Sequence, residues 1–433
     1  MIYWAPLLHF YQPSTQLHWV LRKVCEESYR PLVAMFRSFP NARVTVNICA
    51  ALTEMLAEHG MSDVVEGLRE LADEGRLEFT GSAKYHPILP LIPGEEVRRQ
   101  IALNSQTNRS AFGNSYSPAG FFSPEMCYSR DIVEPVIDTG HKWLILSGVA
   151  CPADWPNNVI YHISSGERQL RVFFRDDILS NKISFCQLDA PGFLNHLRQL
   201  RGSSEDIYVI TAMDAETFGH HIKSWETLFL GEVYDCLEPS CSLSRGVRQL
   251  QRLVDTQKEI FGSGAGTKES DIDVVTISQL LELFPAGGDI EPRPSSWSTS
   301  MDDIRSGNPY PLWKWKDNHI HQLQWEHLRI AIELVEKATK VAQEESASYY
   351  ADIARGLLDH ALHSDQFWWA NPDSRWDVNL VNRGLVQQRD ALFNAYKAIK
   401  MSGVGEDEIT DCYYRVIASR DLRSKIMDQL FMQ

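Results

Sequence analysis

Short apolar runs alternate with amphipathic stretches over the first two-thirds of the chain. Runs rich in β-branched and aromatic residues predict strands at residues 2–10, 42–48, 76–81, 120–122, 142–147, 169–174, 207–213 and 273–277. Between them, apolar positions recur with helical spacing, for example over residues 62–74, 95–112 and 129–140. Because strand–helix alternation over this length builds a mostly parallel sheet, the pattern predicts an α/β domain that is either doubly wound or closed into a barrel.

Polar residues follow directly after several of the predicted strands. They occur in the stretches HFYQP (9–13), TGSAKYHP (80–87), SPE (123–125) and DAETFGHH (214–221). A β/α barrel places such groups in a ring at the carboxyl ends of its strands, whereas an open sheet collects them at one crevice. The recurrence therefore favours a barrel, which we predict over residues 1–284.

The remaining chain predicts two further segments. Residues 285–318 are rich in Pro, Gly, Ser and Asp and predict a long irregular connector. A loop of this length is usually functional or disordered, and its residues Trp297, Trp313 and Trp315 favour function because disordered segments are poor in aromatics. Residues 319–433 show helical periodicity throughout and predict a helical bundle packed on the barrel.

Composition narrows the partners and the location of the chain. A formal net charge of −15 argues against nucleic acid, since phosphate binding needs a concentrated basic surface. Twelve Trp and fifteen Tyr suit a neutral sugar, whose apolar faces stack on aromatic rings. The first residues lack the basic region and cleavage site of a signal peptide, and no segment is long enough to span a bilayer. We therefore expect a cytoplasmic protein without a membrane partner, and its oligomeric state stays open.

Three acidic residues near strand ends are candidates for chemistry. Glu125 follows an apolar strand and a Ser-Pro pair, and Asp214 and Glu216 follow the strand at 207–213. Each also fits a structural role, because Asp caps helices and Glu is common in a first helical turn. From the residues alone, the structural role is the more frequent one for Glu125.

Glu78 is a fourth candidate, because it lies inside an otherwise apolar predicted strand. Period-two alternation puts Leu77 and Phe79 on one face and Glu78 and Thr80 on the other. An inward carboxyl is costly unless it is paired or functional, whereas an outward one would be solvated. The inward placement is favoured if helices cover the sheet.

Two carboxylates on different strand ends are the minimum for retaining glycoside hydrolysis. One attacks the anomeric carbon, and the other protonates the leaving oxygen and later deprotonates water. If Glu125 and Asp214 do this, their carboxyl groups should lie about 5–5.5 Å apart. Glu216 could bind a substrate hydroxyl or raise the proton affinity of Asp214 by like-charge repulsion.

A metal site is the competing interpretation. The histidines His9, His86, His220 and His221 could join Asp214 in holding Zn²⁺ for metal-assisted hydrolysis, as in a carbohydrate deacetylase. Against this, none of these histidines forms an HxH or HxxxH pair with another. The neighbours His220 and His221 would also point in different directions on a helix.

Taken in order and spacing, five stretches resemble the motifs of glycoside hydrolase family 57, a retaining α-glucan-active family. They are HFYQP, RLEFTGSAKYHPILP, GFFSPEM, MDAETFGHH, and the connector SSWSTS with NPYPLWKWKDNHIHQLQWE after it; LLDHALHSDQFWW is similar to a helical-domain stretch of the amylase branch. The resemblance runs from the first strand to about residue 370. It implies an incomplete, seven-stranded β/α barrel followed by an all-α helical bundle, and chemistry without a metal or cofactor.

The resemblance also implies the role of each candidate residue. Glu125 would be the nucleophile and Asp214 the general acid/base. Substrate contacts would fall to His9, Gln12, Glu78, His86, Glu216, His220, Trp297, Asp365 and Trp369. The implied partner is an α-glucan or maltooligosaccharide, cleaved at α-1,4 links as in an α-amylase. Transfer to a second glucan, as in a 4-α-glucanotransferase or branching enzyme, is the nearest alternative, and the deacetylase and a non-catalytic glucan-binding protein are the others.

Overall fold

The computed structural model describes residues 1–153, 157–201, 205–237, 271–371 and 375–432. The strands are β1 (Ile2–Phe10), β2 (Val44–Ile48), β3 (Leu77–Thr80), β4 (Gly120–Phe122), β5 (Trp143–Ser147), β6 (Ile160–Ser165), β7 (Arg168–Arg175), β8 (Ile207–Asp214), β9 (Ile272–Val274), β10 (Ala286–Asp289), β11 (Ala370–Asn371) and β12 (Arg375–Trp376).

The helices are α1 (His18–Val24), α2 (Arg30–Ser38), α3 (Ala50–Glu58), α4 (Ser62–Asp73), α5 (Gly94–Phe112), α6 (Val133–Asp138), α7 (Asp177–Ser184), α8 (Ala190–Leu200), α9 (Glu232–Leu237), α10 (Ile277–Leu283), α11 (Met301–Arg305), α12 (His319–Val341), α13 (Glu345–Ala361), α14 (Asp365–Trp368), α15 (Val378–Met401) and α16 (Glu406–Met432). Two turns are π-helical, Cys25–Tyr29 and Glu226–Gly231. Across the described ranges, no helix combines the length and apolarity that crossing a membrane requires.

The strands of the first part form two sheets. One has the order β3-β2-β1-β8, with β9 also pairing β1, and all of its pairs are parallel. The other has the order β10-β6-β7-β5-β4, in which only β6 and β7 pair antiparallel. A parallel bridge between Gly81 and Phe121 joins the first sheet to β4, and the Asp176 amide donates to the Ile210 carbonyl at 2.8 Å, which joins the end of β7 to β8.

The predicted α/β core is confirmed, and each predicted strand coincides with an observed one to within a few residues. The incomplete seven-stranded barrel stays a prediction. Strands β6 and β10 were not predicted, because their short sequences alternate only weakly between apolar and polar residues. The predicted connector 285–318 also contains a helical turn, α11.

Apolar side chains cover both faces of the sheets, which explains the continuous apolar runs in the sequence. One buried cluster contains alternate residues of neighbouring strands, including Leu7 of β1, Ile145 of β5 and Ile210 of β8. Residues of the opposite faces pack on the surrounding helices, as Trp4 and Leu8 do. Polar side chains at the carboxyl ends of the strands therefore stand on a closely packed base.

The helical region that was predicted from residue 319 onward is confirmed, and it packs on the second sheet. One continuous apolar cluster joins Leu144 and Val172 of that sheet to Leu328 of α12 and Leu392 of α15. Because this core crosses the predicted domain boundaries, the division at residues 284 and 319 stays a prediction.

Candidate active site

A row of polar side chains crosses the carboxyl ends of four adjacent strands. His9 of β1 pairs in register with Asn47 of β2 and with Asp214 of β8, and Asn47 pairs with Thr80 of β3. His9 Nδ1 lies 2.7 Å from Asn47 Oδ1, and the Asn47 amide donates to Thr80 Oγ1 at 2.9 Å. Because paired residues of parallel strands lie at the same level, these side chains form one layer with Asp214 at its side.

Glu125 lies in a short turn, Pro124–Met126, directly after β4. Its φ of 58° is left-handed, which is unusual for a residue other than glycine and is typical of functional sites. Trp297 holds it twice: the Trp297 amide donates to the Glu125 carbonyl at 3.1 Å, and the indole Nε1–H donates to Glu125 Oε2 at 2.7 Å. The irregular connector thus places the indole N–H of Trp297 against this carboxyl group.

The charge of Asp214 acts on Glu125. Burial raises the pKa of Glu125 to about 8, with the charge of Asp214 contributing further and the Trp297 hydrogen bond opposing the rise. Burial also raises the pKa of Asp214, while the Arg175 cation lowers it. The effect of one charge on the other indicates that both carboxyl groups face the same poorly solvated space. Their predicted separation of about 5–5.5 Å stays a prediction.

Glu216 is a third carboxyl group at this edge. Its Oε1 accepts hydrogen bonds from Gln12 Nε2, at 2.9 Å, and from the Tyr29 hydroxyl. Burial and then the charge of Asp214 raise the pKa of Glu216. The turn that follows β8 is a single 3₁₀ turn, Ala215–Thr217, and the Asp214 side chain makes no cap hydrogen bond to it. The structural alternative for Asp214, a helix cap, is therefore wrong.

His86 lies against His9 and Glu125, in a loop after β3. Its ring stacks on Tyr11, with the ring centroids 3.8 Å apart, and its Nδ1 lies 3.0 Å from Ser364 Oγ and 3.8 Å from Glu125 Oε1. Burial lowers the pKa of His9 to about 4 and also lowers that of His86, so both rings are neutral at neutral pH. Neutral imidazoles offer one donor and one acceptor each, which suits sugar hydroxyl groups.

The helical region reaches the same cluster through Asp365. The Tyr11 hydroxyl donates to Asp365 Oδ2 at 2.5 Å, and His363 Nδ1 lies 3.2 Å from the same oxygen. Burial acts to raise the pKa of Asp365, but His363, His86 and the hydrogen bond from Tyr11 together outweigh it, and the net pKa lies below the ordinary value. Asp365 is therefore a charged acceptor at the edge of the site.

Three predicted substrate contacts are not brought to this cluster. Glu78 faces inward as expected, but it lies on β3 two residues before Thr80 and so below the level of the cluster. Its Oε1 accepts hydrogen bonds from the Thr45 hydroxyl and from the Ser278 amide at the start of α10. His220 Nδ1 lies 2.6 Å from Glu27 Oε2. Trp369 packs with a small apolar cluster of the helical region.

Two residues that the sequence analysis missed complete the site. Arg175, at the end of β7, is buried, and its Nε donates to the Ala212 carbonyl at 2.7 Å. Its guanidinium carbon lies 5.7 Å from the ring centre of Trp297, so Arg175 joins β8, which ends in Asp214, to the tryptophan that holds Glu125. Tyr29 is the second missed residue, and its hydroxyl donates to Glu216 Oε1. Arg175 could have been found, because it follows an apolar strand as the other site residues do.

The residues present do not form the metal site of the competing interpretation. Within the described ranges, no group of three or more His, Cys, Asp or Glu side chains is arranged to hold a metal ion. His9 and His220 contact different partners, Asn47 and Glu27. The deacetylase alternative therefore finds no support.

Comparison with known proteins gives the family of the chain. The profile of the family described as "Glycosyl hydrolase family 57" matches residues 8–242. An alpha-amylase of Pyrococcus horikoshii is 26% identical over 240 residues, which are 53% of this chain and 36% of the relative. A 4-alpha-glucanotransferase of Thermococcus kodakarensis is 26% identical over 220 residues, 49% of this chain and 32% of the relative. The match thus spans about a third of the length of these curated relatives.

A similar fold occurs in a solved structure. A family 57 branching enzyme from Thermococcus kodakaraensis superposes with a TM-score of 0.68 and 16% identity, over 97% of this chain and 95% of that one. At this identity the likeness concerns the fold alone, whereas the family profile covers more than half of the chain. The chain belongs to glycosyl hydrolase family 57.

Proposed function

We propose that this chain is a retaining glycoside hydrolase that cleaves α-1,4 links in α-glucans, with Glu125 as nucleophile and Asp214 as general acid/base. The observation that carries the proposal is that Glu125 and Asp214, both half-buried after the ends of different strands, lie beside one pair of stacked histidines: Glu125 Oε1 is 3.8 Å from His86 Nδ1, and Asp214 pairs in register with His9. The names of the relatives, an alpha-amylase and a 4-alpha-glucanotransferase, support an α-glucan as the substrate class.

The proposed reaction has two displacements. Glu125 Oε1 attacks the anomeric carbon while the glycosidic C–O bond breaks and Asp214 gives its proton to the leaving oxygen. Asp214, now ionised, then takes a proton from water, which attacks the anomeric carbon and releases Glu125. Oε1 is the oxygen assigned to attack because Oε2 accepts the indole hydrogen bond of Trp297.

The proposal requires one proton on the pair, and that proton must be on Asp214. Burial and the charge of Asp214 favour the neutral form of Glu125, and the Trp297 hydrogen bond favours its ionised form. The balance leaves the pKa of Glu125 at about 8, so at neutral pH the free protein holds the proton on Glu125, and the proposed reaction begins once that proton has moved to Asp214. The nucleophilic role of Glu125 therefore rests on the family resemblance and on the hydrogen bond from Trp297. The pair titrates as a unit, so activity should show a bell-shaped pH dependence.

Sugar contacts are proposed for the residues that surround the pair. His9 and His86 offer neutral donors, Asp365 offers a charged acceptor, and Trp297 offers an aromatic edge. Gln12 would bind sugar through the part of its amide not held by Glu216. We do not extend this role to the three residues that lie outside the cluster.

We also propose that the frame of the site is the incomplete seven-stranded barrel. Strands β1, β2, β3, β4, β5, β7 and β8 follow one another through ladder pairs, the bridge between Gly81 and Phe121, and the hydrogen bond from Asp176 to Ile210. Such a frame would explain why side chains from distant parts of the sequence meet at one end.

Transfer is the second candidate function, favoured by the relatives named 4-alpha-glucanotransferase and branching enzyme. It uses the same covalent intermediate and differs in the acceptor, which is a glucan hydroxyl group in place of water. Product analysis separates the two, because only transfer yields chains longer than the substrate.

The test is incubation with maltoheptaose, with products read by mass. Glu125→Gln and Asp214→Asn should each lower kcat by roughly 10³-fold or more, since each removes a group that acts in the transition state. Glu66→Gln, an exposed position on α4, is the matched control and should retain wild-type activity. An inactive wild type, or near-normal rates in either site variant, would contradict the proposal.

A further inference from the structure

Helices α1 and α2 are joined without a break by the π-turn Cys25–Tyr29. The Arg30 amide donates to the Cys25 carbonyl, five residues back, so the turn is one residue wider than an α-helical turn. Such bulges are frequent at functional sites. In an uninterrupted α-helix, consecutive residues do not share a face, because only residues three or four apart do. Here three consecutive side chains contact one loop.

That loop is residues 214–223, which we call the acid/base loop because it begins with Asp214. The Ser28 hydroxyl donates to the Ala215 carbonyl at 2.8 Å, and the Tyr29 hydroxyl donates to Glu216 Oε1. Both Ser28 and Tyr29 are fully buried. The π-turn thus makes hydrogen bonds to both of the first two residues after Asp214.

The preceding residue of the π-turn holds the far end of the same loop. The Glu27 carboxylate accepts from His220 Nδ1 at 2.6 Å and from Lys223 Nζ at 2.5 Å. Between these contacts, Gly219 lies so close to the turn that an added Cβ would be 1.8 Å from the Glu27 carbonyl oxygen, and its φ is 103°. Loop and turn are therefore fitted to each other along several residues, and only glycine is compatible with position 219.

We propose that the π-turn Cys25–Tyr29 is a positioning element of the acid/base loop, acting through Ser28 on the Ala215–Glu216 peptide and through Tyr29 on the Glu216 side chain. Ser28 and Tyr29 are positioning residues, since they contact the loop and not the reacting atoms. Rotating the Ala215–Glu216 peptide would break the buried hydrogen bond from Ser28, so the bond fixes the backbone one residue beyond Asp214 and restricts how Asp214 can turn.

Tyr29 also affects the protonation of Glu216. A hydroxyl donating to a carboxylate favours its ionised form, so the Tyr29 hydrogen bond lowers the pKa of Glu216 against the effects of burial and of the Asp214 charge. Removing the Tyr29 hydroxyl should therefore remove a contact to the loop and make Glu216 easier to protonate.

The substrate-independent test is hydrogen exchange of the acid/base loop, measured by mass spectrometry of the free protein. Ser28→Ala and Tyr29→Phe should each speed amide exchange in peptides covering residues 214–223 by roughly tenfold, because a buried hydrogen bond is lost. Tyr234→Phe is the matched control: it removes a buried hydroxyl that donates to the Arg43 carbonyl at 3.0 Å, away from this loop. Unchanged exchange in both site variants would overturn the inference.

The kinetic test rests on the proposed function and uses maltoheptaose. Tyr29→Phe should lower kcat by roughly tenfold with KM within about twofold, because a loosened loop disturbs the transition state more than substrate binding. Tyr234→Phe should keep both constants. Equal kcat values for the two variants would overturn the inference. If the wild type does not turn over maltoheptaose but loop exchange responds as expected, the proposed function fails and the positioning role stands.

Discussion

Replacing Glu125 by Gln should stabilise the fold while it abolishes the proposed activity. The Glu125 side chain retains 20% of its exposed surface, and burial raises its pKa from 4.5 to about 8. The unfolded chain releases this proton near pH 4.5, so the folded state becomes less stable as the pH rises from 4.5 to 8. Glu125→Gln keeps the shape and an acceptor for the Trp297 indole but has no proton to release.

The expected gain follows from the size of the pKa change. Each pH unit between the unfolded and folded pKa contributes about 1.4 kcal/mol. At pH 7 the stabilisation by Glu125→Gln should therefore be about 3 kcal/mol, and at pH 5 about 1 kcal/mol. Below pH 4 it should vanish, because both states of the wild-type carboxyl are then protonated.

Both gains in stability are measured by urea unfolding of the wild type and of Glu125→Gln at pH 5 and pH 7. The unfolding is followed by near-UV circular dichroism. Glu66→Gln is the control for an exposed carboxyl and should change stability by less than about 0.5 kcal/mol at either pH. A Glu125→Gln variant less stable than the wild type at pH 7, or equally stabilised at both pH values, would refute the electrostatic account of this site.

Two further changes test the groups around the pair. Trp297→Phe removes the donor to Glu125 Oε2; we expect kcat to fall by roughly 10²-fold and the acidic limb of the pH profile to move to higher pH, as the pKa of Glu125 rises. An unshifted acidic limb would contradict this role. Arg175→Met removes the cation that lowers the pKa of Asp214 and leaves Asp177 without an ion partner. Thermal unfolding of this variant should show a loss of about 3 kcal/mol in stability, and the alkaline limb of its pH–activity profile should move to higher pH. A limb that stays in place would show that Arg175 has only a structural role.

The sequence predicted which strands exist and which of their ends carry polar groups. The run from Ile2 to Phe10 is apolar almost throughout because β1 is covered on both faces, and this pattern is readable without a structure. His9 and Asp214 both follow such runs, and the register of β1 with β8 places them side by side. Asp365 came from the resemblance alone, since its apolar neighbours indicated the interior of the bundle.

The positions of the residues that lie away from the cluster depend on information that no local pattern contains. Alternation predicted the face of Glu78 correctly, but its depth below the edge depends on how β3 is staggered against β2. His220 is held by Glu27, which lies 193 residues earlier in a π-turn whose sequence has no distinguishing periodicity. Long-range pairs of this kind follow from the folded arrangement only.

The most direct test of the central claim is to trap the covalent intermediate. A fluorinated maltosyl fluoride, which forms the glycosyl ester faster than water releases it, should add one maltosyl mass to the wild type. Peptide mapping should place that mass on Glu125, and Glu125→Gln should remain unlabelled. A label on Asp214 or on another residue, or no label while the reagent is consumed, would contradict the account.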